Sequence, residues 1–156
     1  MKKQQYKALI ICYSYHHNNT LKVAKAIAKI LNAKIITPKE INSINLSDFY
    51  LIGFGAGIDS GRHYQQLLSL AEELPLVNQK QSFIFSTSAV QGERKVFRDH
   101  KTLRDILTSK GYSVVNEFSC KGFNTNLFLK YFGGMNKGRP NAEDLIKAEE
   151  FARKLY

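Results

Sequence analysis

Three observations predict an α/β fold, a doubly wound five-stranded parallel sheet of order 2-1-3-4-5 with helices on both faces. Short apolar runs alternate with amphipathic stretches along the whole chain. The runs are continuously apolar rather than alternating, as strands covered on both faces must be. Five of them fit into 156 residues, the size of one domain, so 1–156 is read as a single unit.

Each element follows from local chemistry. Ala8 to Cys12 reads A-L-I-I-C and is a buried strand. Leu21 to Leu31 is helical: Val23, Ile27, Ile30 and Leu31 share one face, and Lys22, Lys25 and Lys29 face water. Thr20 or Asn19 caps its start and Asn32 stops it. Lys34 to Ile36 is a second strand, halted by Pro38, and Phe49 to Phe54 is a third. Tyr64 to Glu73 is a helix with Leu67, Leu68 and Ala71 inward. Ser82 to Phe85 is the fourth strand, and Thr102 to Lys110 is a helix closed by Gly111. Tyr112 to Cys120 is the fifth strand, longer and more alternating, as suits an edge. The last helix starts at Asn141, with Glu143 and Asp144 in its first turn, and runs nearly to Leu155.

Composition excludes several classes. Hydrophobic residues at 44% and charged residues at 23% are ordinary globular values. The net charge of +10 attracts anionic partners, but Lys and Arg are scattered and form no basic arm, so specific nucleic-acid binding is disfavoured. Cys12 and Cys120 are too few for a disulfide framework and form no Cys-x-x-Cys pair. The polar Met1 to Gln5 and the absence of 18 consecutive apolar residues argue against a signal peptide or a membrane span, which makes the cytoplasm the default. His16, His17, His63 and His100 have no metal-ligand spacing, and no Gly-x-Ser-x-Gly elbow occurs.

In a doubly wound sheet, ligands bind beyond the carboxyl ends of the strands, so the loops after strands one, three, four and five should form one site. The first is Ser14-Tyr15-His16-His17-Asn18-Asn19-Thr20, directly before a helix. It offers hydroxyls, backbone N–H groups and a helix dipole, and Asn18 or Asn19 tolerates a left-handed backbone. It lacks the Lys of a Walker loop and the glycines of a Rossmann turn, so it suits a terminal monophosphate. The bland alternative is an ordinary polar turn with a cap. The second loop, Gly53 to Gly61, holds four glycines in nine residues if Gly53, Gly55, Gly57 and Gly61 are counted, which suits a planar ring lying on backbone. The third, Ser86-Thr87-Ser88-Ala89-Val90-Gln91-Gly92, offers hydroxyls to a polar ligand edge, or simply forms a turn. The fourth, Lys121 to Arg139, mixes Phe123, Phe128, Tyr131 and Phe132 with glycines and reads as a lid or as core plugs.

These residues resemble the flavodoxin family. Ser14 to Thr20 is similar to its phosphate loop, and closer to a branch that reads Ser-x-His-His-x-Asn-Thr. Ile52 to Ile58, Phe85 to Ser88, Cys120-Lys121-Gly122-Phe123 and Gly138-Arg139-Pro140-Asn141 resemble the same branch, in order along nearly the whole chain. The resemblance implies a flavodoxin-like fold and the cofactor FMN, held at its phosphate by Ser14, His16, Asn18, Asn19 and Thr20. It places the flavin ring against Ala56, Gly57, Ile58 and Asp59, with Ser86, Thr87, Ser88 and Gly92 near its polar edge. It implies a flavoprotein of electron transfer, either a carrier or an NAD(P)H- or quinone-linked oxidoreductase. No catalytic residue and no metal ligand is assigned. Three departures stand out: Asn18 replaces the usual glycine, no Trp is present to stack on a flavin, and the chain is basic where electron-carrying flavodoxins are acidic. The alternative on the same fold is a flavin-less binding or regulatory module for another phosphorylated ligand or an acidic partner.

Overall fold

A computed structural model describes residues 8–14, 18–123 and 136–155. The strands are β1 (Ala8–Tyr13), β2 (Ala33–Ile36), β3 (Leu51–Asp59), β4 (Arg62–His63), β5 (Lys80–Ser88) and β6 (Tyr112–Lys121). The helices are α1 (Asn19–Leu31), α2 (Gln65–Glu73), α3 (Glu93–Asp99), α4 (Lys101–Ser109) and α5 (Ala142–Arg153). The parallel sheet runs β2-β1-β3-β5-β6, which is the predicted 2-1-3-4-5 order once the two-residue β4 is set aside as a hairpin partner of β3.

Alternate residues of each strand face opposite layers. Ile10, Cys12, Phe83 and Phe85 pack with Val23 and Ile27 of α1 and with Ala148 and Phe151 of α5. Leu9, Ile11, Phe54 and Ile84 pack with Leu67 and Leu68 of α2 and with Leu103 and Leu107 of α4. Between the central strands, Gly53 and Gly55 face the rings of Phe83 and Phe85. A Cβ on either glycine would lie 2.1 Å from a ring carbon.

Several local expectations are corrected. Helix α1 begins at Asn19, and Asn18 before it is left-handed (φ 53°, ψ 31°) with no side-chain cap bond, so neither Thr20 nor Asn19 is the cap. Residues 53–58 are not loop: β3 continues to Asp59 and closes a hairpin through Ser60 (φ 52°) and Gly61 (φ 79°), the paired left-handed conformation of a type I′ turn. Ser86, Thr87 and Ser88 likewise belong to β5. Parallel pairing with β1, β5 and β6 satisfies their backbones and overrides the weak strand preference of Gly and Ser. Helix α3 and β4 were not predicted. The cap of α5 is as predicted: Asn141 accepts from the Asp144 N–H at 3.0 Å, and Asp144 accepts from the Asn141 N–H at 2.8 Å.

Candidate functional site

The carboxyl ends of β1, β3, β5 and β6 are tied together by specific bonds. Thr20 Oγ1 and Thr87 Oγ1 lie 2.8 Å apart, joining the start of α1 to β5. Asn19 Nδ2 donates to the Phe123 carbonyl at 2.7 Å, and the Gly122 N–H donates to the Ser88 carbonyl at 3.1 Å. Asn136 Nδ2 donates to the Ala89 carbonyl at 2.7 Å, which brings the far end of the post-β6 segment to the same place. Tyr13 and Tyr64 meet edge to face, with ring centroids 5.8 Å apart, and the Tyr64 N–H donates to the Gly57 carbonyl. The loops therefore converge at one end of the sheet.

The turn into α1 is rich in donors. The Ser14 hydroxyl oxygen accepts from the Leu21 N–H at 3.2 Å, which leaves its proton free to donate outward. The first N–H groups of a helix lack partners within the helix, and left-handed Asn18 stands directly before them. Thr20 is nearly fully buried; when Thr87 donates to it, its own proton is available to a ligand. Asn19 Oδ1 is buried with no partner, an acceptor suited to a hydroxyl. The described residues of this turn are neutral donors with one spare acceptor. Tyr15, His16 and His17 lie outside the described residues, as do residues 124–135 of the expected lid, Phe128, Tyr131 and Phe132 among them.

The remaining predicted residues divide. Ala56 is fully buried in the layer beneath α2, and Ile58 and Asp59 pair with His63 and Arg62 in the hairpin. The close approach at Gly57 is made by Tyr64, whose Cε2 would lie 2.6 Å from an added Cβ. At Gly53 and Gly55 it is made by phenylalanine rings, so those glycines serve the core and not a bound ring. Ser88 Oγ donates to the Val90 carbonyl at 2.9 Å and accepts from Gln91 Nε2. Gly92 (φ 133°) opens onto α3, with no heavy atom within 4 Å of where its Cβ would sit. Phe123 fixes its backbone to Asn19 and Arg139.

One polar cluster escaped the sequence reading. Ser86 Oγ lies 2.7 Å from His100 Nε2, and His100 Nδ1 lies 2.8 Å from Glu117 Oε1. Arg104 grips Glu117 through Nε (2.8 Å) and Nη2 (2.7 Å). Burial alone would raise the Glu117 carboxyl, but hydrogen bonds from His100 and Arg104 and the Arg104 charge outweigh it, and its pKa falls to about 2. Beside His100, at 4.9 Å between ring centroids, sits His63. Its Nε2–H donates to the Phe85 carbonyl at 3.0 Å, and its Nδ1 is buried without a partner. Burial first, then the His100 charge, lower its pKa to about 3. Ser86, His100 and Glu117 lie 14 and then 17 residues apart, on three different elements, so no spacing rule joins them. The one sequence cue is Glu117 and Ser119 two apart on an edge strand, and hence on one face. The thiols of Cys12 and Cys120 are free and buried, and burial pushes each up to about 12.

Comparison with known proteins adds the following. A family model described as a flavodoxin domain matches residues 10–152. An uncharacterized protein of Methanocaldococcus jannaschii is 43% identical over 149 residues, covering 96% of this chain and 97% of that protein. The structure of oxidised Flavodoxin 2 from Bacillus cereus is similar at a TM-score of 0.65 and 15% identity, covering 94% of this chain and 95% of that one. The Fusobacterium nucleatum flavodoxin bound to flavin mononucleotide is similar at a TM-score of 0.63 and 15% identity, covering 96% of each chain. At such identities the structural likeness establishes the fold.

Proposed function

Because this chain belongs to the flavodoxin domain family, we propose that it is an FMN-binding redox protein, working as an electron carrier or as a small flavin-dependent oxidoreductase. The observation that carries this reading is the turn into α1, where left-handed Asn18 precedes a helix start flanked by the Ser14 and Thr20 hydroxyls and the orphaned Asn19 Oδ1. That donor set fits a dianionic phosphate without needing a lysine, and the spare acceptor fits a hydroxyl of the chain joining phosphate to ring. Asn18 does here what glycine does in the family's usual loop.

Ser14, Asn18, Asn19 and Thr20, with His16, would hold the phosphate. Gly57, Ile58, Asp59 and Tyr64 would flank the ring, with Ala56 buried behind them, and Ser86 to Ser88 with Gly92 would lie toward its polar edge. Bound FMN would supply the electron chemistry, and the chain would supply orientation and a preformed polar frame. The surplus of +10 favours an acidic redox partner, or an anionic small-molecule donor or acceptor, over the basic partners that suit acidic carriers. The Tyr13–Tyr64 pair offers an aromatic surface at this end in a chain without tryptophan.

The purified protein should be yellow, absorb at about 450 nm, and release FMN on denaturation. Anaerobic titration with NADH and NADPH then separates an oxidoreductase, whose flavin bleaches directly, from a carrier, whose flavin waits for a protein donor. Colourless protein that takes up no added FMN overturns the reading.

A further inference from the structure

We propose that the pocket between α3, α4 and β6 is a separate small-molecule site for an aromatic carbonyl compound, with the Ser119 hydroxyl donating to the carbonyl oxygen. The pocket has a volume of about 480 Å³ and is lined by Gln91, Gly92, Glu93, Val96, Phe97, Arg104, Glu117 and Ser119. That volume holds one small ring system with its substituent.

The polar end of the pocket is defined by counting lone pairs. The Ser119 oxygen accepts from the Ser86 hydroxyl at 2.9 Å and from Gln91 Nε2 at 3.2 Å. Both of its lone pairs are then used, and its own proton is left to point into the pocket. Ser86, donating to Ser119, presents its oxygen to His100 Nε2, and His100 Nδ1 faces the Glu117 carboxylate. The Ser86 proton is directed toward Ser119, and Ser86 is anchored by the His100 imidazole, which sits fully buried between Ser86 and the Glu117 carboxylate. Glu117 also reaches the pocket, but Oε1 takes His100 and Arg104 while Oε2 takes Arg104. The pocket therefore offers a hydroxyl donor beside the Glu117 and Glu93 carboxylates, so it favours a neutral acceptor oxygen over an anion.

The other wall selects a ring. Phe97 is 64% exposed, with the Arg104 guanidinium 4.3 Å from its ring centroid, and Val96 lies one residue before it. A large aromatic surface left to water beside a preorganised donor is the pairing that small aromatic ligands use. Ser86 and His100 do not touch the ligand. They position and polarise Ser119.

The test is ¹⁹F NMR with 4-fluoroacetophenone, whose resonance reports polarisation of the carbonyl opposite the fluorine. The expected result is saturable binding with a bound resonance displaced from the free one. Ser119→Ala should weaken binding about 5- to 10-fold, the loss of one hydrogen bond. Ser86→Ala, which leaves the pocket wall intact, should keep affinity within about twofold while the bound resonance returns toward the free position. Absence of saturation, wild-type affinity in Ser119→Ala, or an unmoved resonance in Ser86→Ala would each overturn the proposal. The titrations are run on the protein as purified and again after saturation with FMN. Probe binding by a chain that takes up no FMN removes the flavin reading and leaves this site standing. FMN uptake without probe binding does the reverse. Displacement of FMN by the probe also overturns the proposal, because the pocket would then be the flavin's own.

Discussion

Acid should unfold this protein through His63. Its Nε2–H is committed to the Phe85 carbonyl, and a second proton would have to sit on Nδ1, buried and facing no acceptor. The pKa is accordingly about 3 in the fold, against 6.5 for a free imidazole. Above pH 6.5 the ring is neutral in both states and adds no pH dependence. Below it, the unfolded chain binds a proton that the folded chain refuses, so stability falls as pH falls, until the folded ring itself protonates near pH 3. The slope is about 1.4 kcal/mol per pH unit, which amounts to about 2.7 kcal/mol between pH 7.5 and pH 4.5. Glu117, held at about 2 against 4.5, acts in the same direction lower down: its contribution is complete above pH 4.5 and is lost between there and pH 2. His63→Gln keeps an N–H donor for Phe85 and removes the titration. Urea unfolding curves of both proteins at several pH values isolate the imidazole. The wild type should lose about 2.7 kcal/mol more than the variant over that interval. Parallel losses would show that His63 is not buried as a neutral ring.

Three further outcomes are open to measurement. Thr20→Val should lower FMN affinity by about 1–2 kcal/mol in a fluorescence titration, the value of a hydrogen bond to a charged group, and unchanged affinity would place the phosphate elsewhere. Gly53→Ala should destabilise the fold by about 1–3 kcal/mol through overpacking against the Phe83 ring. Differential scanning calorimetry of the single variant and of its combination with Phe83→Leu should show partial recovery in the double. Cys12 and Cys120 should ignore Ellman's reagent at about pH 8 until urea unfolds the chain, because the thiolate is the reactive form. Fast labelling of the native protein would mean that the layer over β1 and β6 opens readily.

Most of the architecture was legible because its signals are local. A-L-I-I-C, the Val23–Ile27–Leu31 stripe, Asn32 and the Asn141–Asp144 box each encode an element within a few residues, and all appear in the fold. Strand length was not legible. Gly55 to Asp59 and Ser86 to Ser88 look like turns in isolation, and only the neighbouring strands make them sheet. Helix α3, E-R-K-V-F-R-D, hides because its two apolar residues are not on a buried face; Asp99 is buried instead. At the candidate site, the left-handed backbone could be anticipated from Asn18 alone, since asparagine adopts it at small cost. The Ser86–His100–Glu117 chain could not, because its members come from β5, the α3–α4 junction and β6, and meet only when the sheet closes.

The interlock of Gly53 with Phe83 and of Gly55 with Phe85 also limits how this lineage can diverge. Each strand lends the other its volume, so neither member of a pair can drift alone without passing through a poorly folded ancestor. Relatives that keep the sheet should therefore change these positions together or not at all, and a bulky residue opposite a shortened ring would mark the path taken.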